Sequence, residues 1–281
     1  MIADYLALVR PRIVAMVLVT MTAAAWTSSP SRPYWPAVAH ALAGTGLVIV
    51  GAVALNQRLE LRGDARMSRT AGRPLPAGRM SQQQATAFGL AATAAGLTYL
   101  SLANSRMLVL LAAASWLLYV CTYTPLKSRT AWQPPVGALA GAMPVLLGAA
   151  AVDALASPTA LSLFGVVFFW QFPHAMAIAW LYRHEFAAAE VQLATVIDPS
   201  GRRAGLLAML GAVALVPVSL APASYAAVDP RYAPVALVLG AIYLAAAIRF
   251  ARRRDDGTAR WLLRASLVYL PLLLATLVGF H

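Results

Sequence analysis

Nine apolar runs of about twenty residues recur along the chain, and they restrict its fold more than any other feature. Each run is close to the roughly 20 residues that a helix needs to cross roughly 30 Å of hydrocarbon. The composition agrees, because 60% of the residues are hydrophobic and only 11% are charged. We therefore predict an all-α integral membrane protein, a single domain over residues 1–281 with nine transmembrane helices. The runs lie at 13–28, 37–56, 84–103, 107–124, 135–152, 159–182, 204–223, 233–250 and 261–280.

The distribution of basic residues tests this number of spans independently. If the N-terminus faces the cytoplasm, all but three of the 22 Lys and Arg residues fall in inside segments. The exceptions are Arg32, Arg106 and Arg231. Basic residues concentrate in cytoplasmic loops of membrane proteins, and an additional or missing span would break this pattern. The expected topology has the N-terminus inside and the C-terminus outside.

Charge and cysteine content exclude several classes of protein. The formal net charge of +12 lies mostly in loops on one membrane face, so we predict a lipid bilayer partner and no nucleic acid. Cys121 is the only cysteine, which rules out an intrachain disulfide framework. Residues 3–12 lead directly into a full span without a convincing cleavage site, so we expect no signal peptide.

Three oxygen-bearing side chains follow the second run at helical spacing. Asn56, Glu60 and Asp64 stand at i, i+4 and i+8, which places them on one face of a helix. Two acids at i and i+4 repel each other unless a cation lies between them. Carboxylate and amide oxygens are ligands that Mg²⁺ accepts, often together with substrate phosphates. The pattern favours a metal site over a solvated helix end.

The loop after this motif is suited to binding phosphate groups. Arg69 and Arg73 precede a Pro-Leu-Pro-Ala-Gly sequence, which restricts the backbone and favours a fixed position for Arg73. A guanidinium group offers a rigid fork of donors to phosphate oxygens. Lys127, the only lysine, lies one turn beyond Tyr123 at another inside helix end. We interpret it as a phosphate ligand rather than a topological anchor only.

His174 follows Pro173 inside an apolar run. An ionisable residue at that depth is costly and is a functional candidate by default. The alternative is a histidine that hydrogen-bonds a carbonyl group left free by the proline.

Several stretches together resemble the UbiA superfamily of intramembrane prenyltransferases, and within it the haem O synthase branch. The longest is Asn56-Gln-Arg-Leu-Glu60-Leu-Arg-Gly-Asp64 continuing to Arg69-Thr-Ala-Gly-Arg73-Pro-Leu-Pro. Tyr123-Thr-Pro-Leu-Lys127-Ser-Arg129 and Trp170-Gln-Phe-Pro-His174 support the branch. After Glu185 the chain departs from the usual pattern of the family over 187–197, and the similarity resumes at Asp198.

The resemblance implies both an activity and a site. It implies helices around a central cavity in a bacterial inner membrane, where a Mg²⁺-dependent enzyme joins farnesyl diphosphate to haem B and forms haem O. It also implies haem A synthase as a candidate partner. The implied metal ligands are Asn56, Glu60, Asp64, Glu185 and Asp198; catalysis would use the first three with Arg69, Arg73 and Lys127. Diphosphate binding would involve Arg69, Arg73, Tyr123, Lys127, Arg129 and Arg202, and haem binding His174 and Trp170.

Two alternatives remain at this point. A UbiA-type transferase could act on an aromatic quinone precursor, although such branches usually have aspartate where this chain has Glu60. A transporter or haem-binding chaperone could also place charges beside broken helices. The acids and arginines lie at one predicted membrane face, which fits an interfacial active site better.

Overall fold

The structure, a computed structural model, describes residues 2–29, 32–225 and 228–281, and these contain helices but no strand. The long helices are α1 (Pro11–Ser28), α2 (Trp35–Leu59), α3 (Gln82–Ala103), α4 (Arg106–Trp116), α5 (Gln133–Ala150), α6 (Pro158–Leu181), α7 (Arg202–Leu220), α8 (Tyr232–Arg253) and α9 (Asp256–Gly279). A π-helical stretch, Leu117–Tyr123, and the turn Thr124–Leu126 continue α4. Short helices at Ile2–Val9, Leu61–Asp64, Ser68–Ala71, Arg183–Ala188 and Ala194–Ile197 lie near the helix ends.

Eight helices in the described residues are long and apolar enough to cross a membrane, so the chain is a multi-pass membrane protein. The ninth predicted span corresponds to α5, which has 18 residues but is not among the eight. Its first turn carries Gln133, Pro134 and Pro135, and these lower its apolar character. The all-α membrane fold is confirmed, whereas the crossing of α5 stays a prediction.

Two groups of helices form the bundle. Helix α2 packs along α3, while α6, α7, α8 and α9 pack side by side in the other group. Helices α1 and α5 join them, since α1 packs on α5 and α5 packs on α6. The larger apolar core lies among α6 to α9, where Tyr232, Tyr243 and Phe250 are fully buried or nearly so.

Small residues set the distance between α2 and α3. A Cβ atom added at Gly51 would lie 2.2 Å from Thr93 Oγ1 and 2.5 Å from the Gly89 carbonyl oxygen. Helices in a membrane gain little from apolar burial between them, so close backbone approach at glycine is a main source of their association. This pair holds the end of α2, and with it Asn56 and Glu60, in position.

Three segments that the sequence predicts on the inside meet at one end of the bundle. The Arg66 guanidinium pairs with Glu190 at 2.7 Å. The backbone N–H of Gln192 donates to the Lys127 carbonyl group at 2.7 Å. The segments after α2, α4 and α6 therefore share one face, as predicted.

Candidate active site

A cavity of about 620 Å³ opens where these three segments meet. Its polar end is formed by Glu60, Asp64, Arg69, Arg73 and Lys127. From there it extends between the helices to Gln171, Phe172 and His174 of α6. Its size is typical of a pocket for a small molecule. The cavity joins a charged entrance to an interior lined by membrane helices.

Asp64 and Arg73 form a buried ion pair at the polar end. The Asp64 side chain is almost fully buried and accepts a hydrogen bond from the Arg73 guanidinium. Thr70 Oγ1 donates to the Asp64 carbonyl group at 2.8 Å, which ties the loop to the end of the short helix Leu61–Asp64. Burial raises the pKa of Asp64 above its usual value; Arg73 opposes this rise and the Glu60 carboxylate adds to it. Two carboxylates that disfavour each other's charge form a site that a cation would relieve.

Glu60 and Lys127 form a second ion pair across the cavity. Lys127 Nζ donates to Glu60 Oε1 at 2.5 Å and lies 4.5 Å from the centre of the Tyr123 ring. Burial alone would lower the pKa of Lys127, but Tyr123 and Glu60 more than offset it and the pKa is raised. The lysine is therefore a cation at neutral pH, available to an anionic ligand.

The π-helical stretch positions Lys127, which forms the ion pair with Glu60. Within it the hydrogen bonds run from i to i+5, as from the Thr124 N–H to the Tyr119 carbonyl group. One additional residue in a turn rotates all later residues of the helix by roughly 100° about its axis. Tyr123, Thr124 and Lys127 come at or after this shift and all line the cavity. Thr124 Oγ1 also accepts a hydrogen bond from Asn56 Nδ2 at 2.9 Å, which links α2 to this segment.

The segment after α6 approaches the polar end through Glu185. Its Oε2 accepts a hydrogen bond from the backbone N–H of Arg69 at 3.3 Å. The Arg69 guanidinium lies over the Tyr182 ring, 4.6 Å from its centre. Asp198, in contrast, accepts hydrogen bonds from Ser200 and from the Arg203 N–H at the start of α7. The structure thus brings Glu185 to the first motif, but neither Glu185 nor Asp198 is among the residues that line the cavity.

His174 occupies the inner part of the cavity. Its Nδ1 shares a hydrogen bond with Ser266 Oγ at 2.8 Å, and its ring stacks on Trp170 with centroids 4.7 Å apart. Trp170 is buried and donates its indole N–H to the Ser266 carbonyl group at 2.8 Å. Trp170 therefore packs against the His174 ring but is not among the described residues that line the cavity.

Three cationic residues that line the cavity, Arg10, Arg62 and Arg66, were not among the residues predicted for the site. Arg10 lines the cavity from the turn that precedes α1 and has a left-handed backbone, with φ at 52°. Burial, and then the neighbouring charge of Arg73, lowers the pKa of its guanidinium. The signal in the sequence was the Arg10-Pro11 pair, since proline often begins a helix. Nothing in the sequence placed that turn beside the Asn56–Arg73 segment.

Two other predicted residues lie elsewhere. Arg129 is exposed and is not among the residues that line the cavity. Arg202 lines a separate groove between α7 and α8. Their predicted role in diphosphate binding stays a prediction that the position of Arg202 does not favour.

The predicted metal ligands can be compared with the positions of these side chains in the structure. No group of three or more His, Cys, Asp or Glu side chains in the described part of the chain is arranged to hold a metal ion. Glu60 and Asp64 nevertheless line one cavity beside six cationic side chains, those of Arg10, Arg62, Arg66, Arg69, Arg73 and Lys127. Mg²⁺ is commonly held by only one or two carboxylates, with phosphates and water completing its shell. The donor set therefore fits a metal that arrives with a phosphorylated substrate.

The sequence matches the UbiA prenyltransferase family over residues 17–270, nearly the whole chain. The chain belongs to the UbiA prenyltransferase family. The family match covers every segment that contributes to the cavity except the Arg10 turn.

Two relatives in the family are similar over almost their entire length. A protoheme IX farnesyltransferase of Solibacter usitatus is 38% identical over 279 residues, covering 96% of each chain. One of Rhodopirellula baltica is 41% identical over 275 residues, covering 95% of this chain and 96% of its own.

Solved structures share the UbiA fold at low sequence identity. A structure described as digeranylgeranylglyceryl phosphate synthase superposes with a TM-score of 0.82 at 16% identity, covering 99% of this chain and 98% of its own. A UbiA homolog from Archaeoglobus fulgidus bound to GPP and Mg²⁺ gives a TM-score of 0.73 at 15% identity, covering 99% of both chains.

Proposed function

We propose that this membrane prenyltransferase transfers the farnesyl group of farnesyl diphosphate to a vinyl group of haem B and so forms haem O. The observation that carries the proposal is the similarity over nearly the full length to proteins named protoheme IX farnesyltransferase, at 38% and 41% identity. The cavity supports it, because its charged end suits a diphosphate and its inner end contains a histidine between membrane helices.

Diphosphate binding would take place at the polar end. Arg10, Arg69, Arg73 and Lys127 are four of the six cationic side chains that line the cavity. Their hydrogen bonds to the leaving group strengthen as negative charge develops on it and as water is excluded. Arg73 and Lys127 are held in place by Asp64 and Glu60 before substrate arrives. This preorganisation lowers the cost of ordering them.

Glu60 and Asp64 would hold a magnesium ion, and the UbiA homolog bound to GPP and Mg²⁺ supports such a requirement. When bound, the metal would supply charge that stabilises the leaving diphosphate. Asn56 would support the site indirectly, because its Nδ2 donates a hydrogen bond to Thr124 and its side chain is buried.

The acceptor would lie deeper in the cavity. The bond between the allylic carbon and the diphosphate breaks, and the vinyl group of haem B forms the new carbon–carbon bond. Water then adds to the resulting cation and loses a proton, leaving the hydroxyl group of haem O. His174 would bind haem through its iron or a propionate, with Nδ1 oriented by Ser266. The enzyme would act in a bacterial inner membrane, with the open end of the cavity facing the cytoplasm, and haem A synthase would take up the product.

A direct assay tests the proposal. Purified protein in lipid nanodiscs is incubated with haem B, farnesyl diphosphate and Mg²⁺, and products are separated by mass. We expect haem O, and its loss on chelation of divalent cations or in an Asp64→Asn variant. Parallel reactions offer an aromatic quinone precursor as acceptor. Prenylation of that acceptor but not of haem B would overturn the proposal in favour of the other branch.

A further inference from the structure

A second groove lies between α7 and α8 at their arginine-rich ends. Arg202 begins α7, while Arg252 and Arg254 end α8, and these three line one end of a space of about 360 Å³. Leu206, Met209 and Ile248 line the rest of it along the two helices. The backbones are close beneath it, since a Cβ atom at Gly205 would lie 2.9 Å from Ala251 Cα. The groove is thus apolar along the helices and cationic at one end.

No described carboxylate neutralises the charges at that end, since none forms an ion pair with Arg202, Arg252 or Arg254. The acids nearest in sequence are engaged elsewhere: Asp198 with Ser200 and the Arg203 N–H, and Asp255 with Thr258. Three adjacent cations without a counter-ion attract an anion of two or more oxygens.

The groove is separate from the candidate active site. No residue lines both spaces, and no carboxylate lines the groove to hold a metal with a diphosphate. An inorganic phosphate would leave the apolar length of the groove without an occupant. A ligand that fits both ends has a phosphate head and a hydrocarbon tail.

We propose that this groove binds an anionic phospholipid of the surrounding membrane. The phosphate contacts Arg202, Arg252 and Arg254, and one acyl chain lies against Leu206, Met209 and Ile248. The inner leaflet carries anionic lipids that basic groups at helix ends attract. The arginines lie near the same bundle end as the polar cavity, since α7 begins directly after the segment that contains Glu185 and Asp198.

The chain offers a matched control for the test. Arg203, Arg249 and Arg253 lie on the same two helices, are exposed and do not line the groove. The groove triple variant is Arg202→Gln, Arg252→Gln and Arg254→Gln, and the control triple variant is Arg203→Gln, Arg249→Gln and Arg253→Gln. Both lose three charges from the same ends of the same helices. Any difference between them therefore reports position and not net charge.

The experiment measures lipid retained by delipidated protein in native mass spectrometry after titration with phosphatidylglycerol or phosphatidylcholine. We expect wild type and the control triple to retain one phosphatidylglycerol. The groove triple should bind it on the order of 100-fold more weakly, since each arginine near an anionic headgroup contributes several-fold. Phosphatidylcholine should not compete at equal concentration. The readout needs no turnover, so it is independent of the proposed reaction.

Three results would overturn the inference: equal loss in both triples, equal binding of phosphatidylcholine, or displacement of the lipid from wild type by inorganic pyrophosphate at low concentration. If the groove triple does not fold, Ile248→Trp provides a second test. It fills the apolar length and keeps all three arginines, and it should also weaken phosphatidylglycerol binding. Unchanged binding in that variant would contradict the acyl-chain half of the proposal.

Discussion

At the scale of single residues, the candidate site contains two ion pairs. Asp64 pairs with Arg73, and Glu60 pairs with Lys127, all four at the wall of one cavity. Partly buried pairs of this kind leave each partner with an unpaired charge if the other is removed. In the proposed reaction, the cations would bind the diphosphate and the carboxylates would bind the metal. Both pairs would then loosen or share their partners when substrate binds.

Replacing Arg73 by lysine tests whether the guanidinium fork matters. Lys keeps the charge but loses the planar set of donors. Loss of one hydrogen bond to a charged group costs about 1.5–3 kcal/mol, so kcat/KM for farnesyl diphosphate should fall about 10- to 100-fold. Arg58→Lys changes an exposed arginine outside the cavity and should leave kcat/KM unchanged. A steady-state assay in which both variants match wild type would make Arg73 a purely structural partner of Asp64.

Arg10 gives a prediction that the sequence alone did not make. Its guanidinium lines the cavity beside Arg73, and the described residues offer it no ion pair within 4 Å. Arg10→Gln should raise the KM for farnesyl diphosphate about tenfold, as expected for one charged contact. Arg12→Gln is the control, because that arginine is exposed and does not line the cavity. Equal effects in the two variants would point to membrane topology instead.

The proposed binding of haem by His174 has two forms, ligation of the iron and a hydrogen bond to a propionate. Ser266 occupies Nδ1, and the hydrogen bond at one ring nitrogen fixes which nitrogen remains for a ligand. His174→Ala should raise the KM for haem and change the absorption spectrum of bound haem, with little effect on farnesyl diphosphate. Glutamine can still donate a hydrogen bond to a propionate but is a poor iron ligand, so rescue by His174→Gln separates the two roles. No change in either variant would remove His174 from the haem site.

At the scale of elements, the approach of α2 to α3 determines where the first motif lies. Gly51 is part of that contact, whereas a Cβ atom added at Gly46 on the same helix would lie an ordinary 3.8 Å from Leu18. The two positions therefore differ in packing but not in helix propensity. Motif positions such as Asn56 and Glu60 depend on this contact, since they lie about one to three turns beyond Gly51.

Gly51→Ala should force the two helices apart. Overpacking of this kind costs about 1–3 kcal/mol, so the midpoint of thermal unfolding in detergent should fall by several degrees. Gly46→Ala should unfold at the wild-type temperature. A variant at Gly51 that is as stable as the one at Gly46 would show that the backbones are not in close contact.

The sequence predicted most elements and some of their contacts. The apolar runs predicted the long helices to within a few residues, because a bilayer imposes both length and composition on each span. The spacing of Glu60 and Asp64 predicted that the two acids lie close together, because residues four apart share one face of a helix. It did not reveal that Tyr123 and Lys127 depend on a π-helical stretch, nor that Arg202 faces a different groove. Those features depend on the packing of distant segments, which local patterns do not encode.

At the scale of the whole molecule, one question is whether α5 crosses the membrane. Helix α5 has 18 residues, the same length as α1, and is not among the eight candidate spans, yet it lies between α1 and α6 within the bundle. A Cβ atom added at Gly148 would lie 2.1 Å from the Met21 carbonyl oxygen, so α5 is in close contact with α1. A helix packed in this way is shielded from lipid by its neighbours, and fewer apolar residues suffice. We therefore expect α5 to cross.

Single cysteines on either side of α5 test this topology. In a Cys121→Ser background, Arg129→Cys precedes α5 and Ala156→Cys follows it, and both positions are exposed. A membrane-impermeant maleimide applied to sealed right-side-out vesicles should label Ala156→Cys but not Arg129→Cys, and inside-out vesicles should give the reverse. Gln83→Cys, in the first turn of α3, should behave like Arg129→Cys, because both positions belong to segments predicted to be inside by their arginines. Labelling of both flanking positions from one side would mean that α5 does not cross, and the inside assignment of every later segment would reverse.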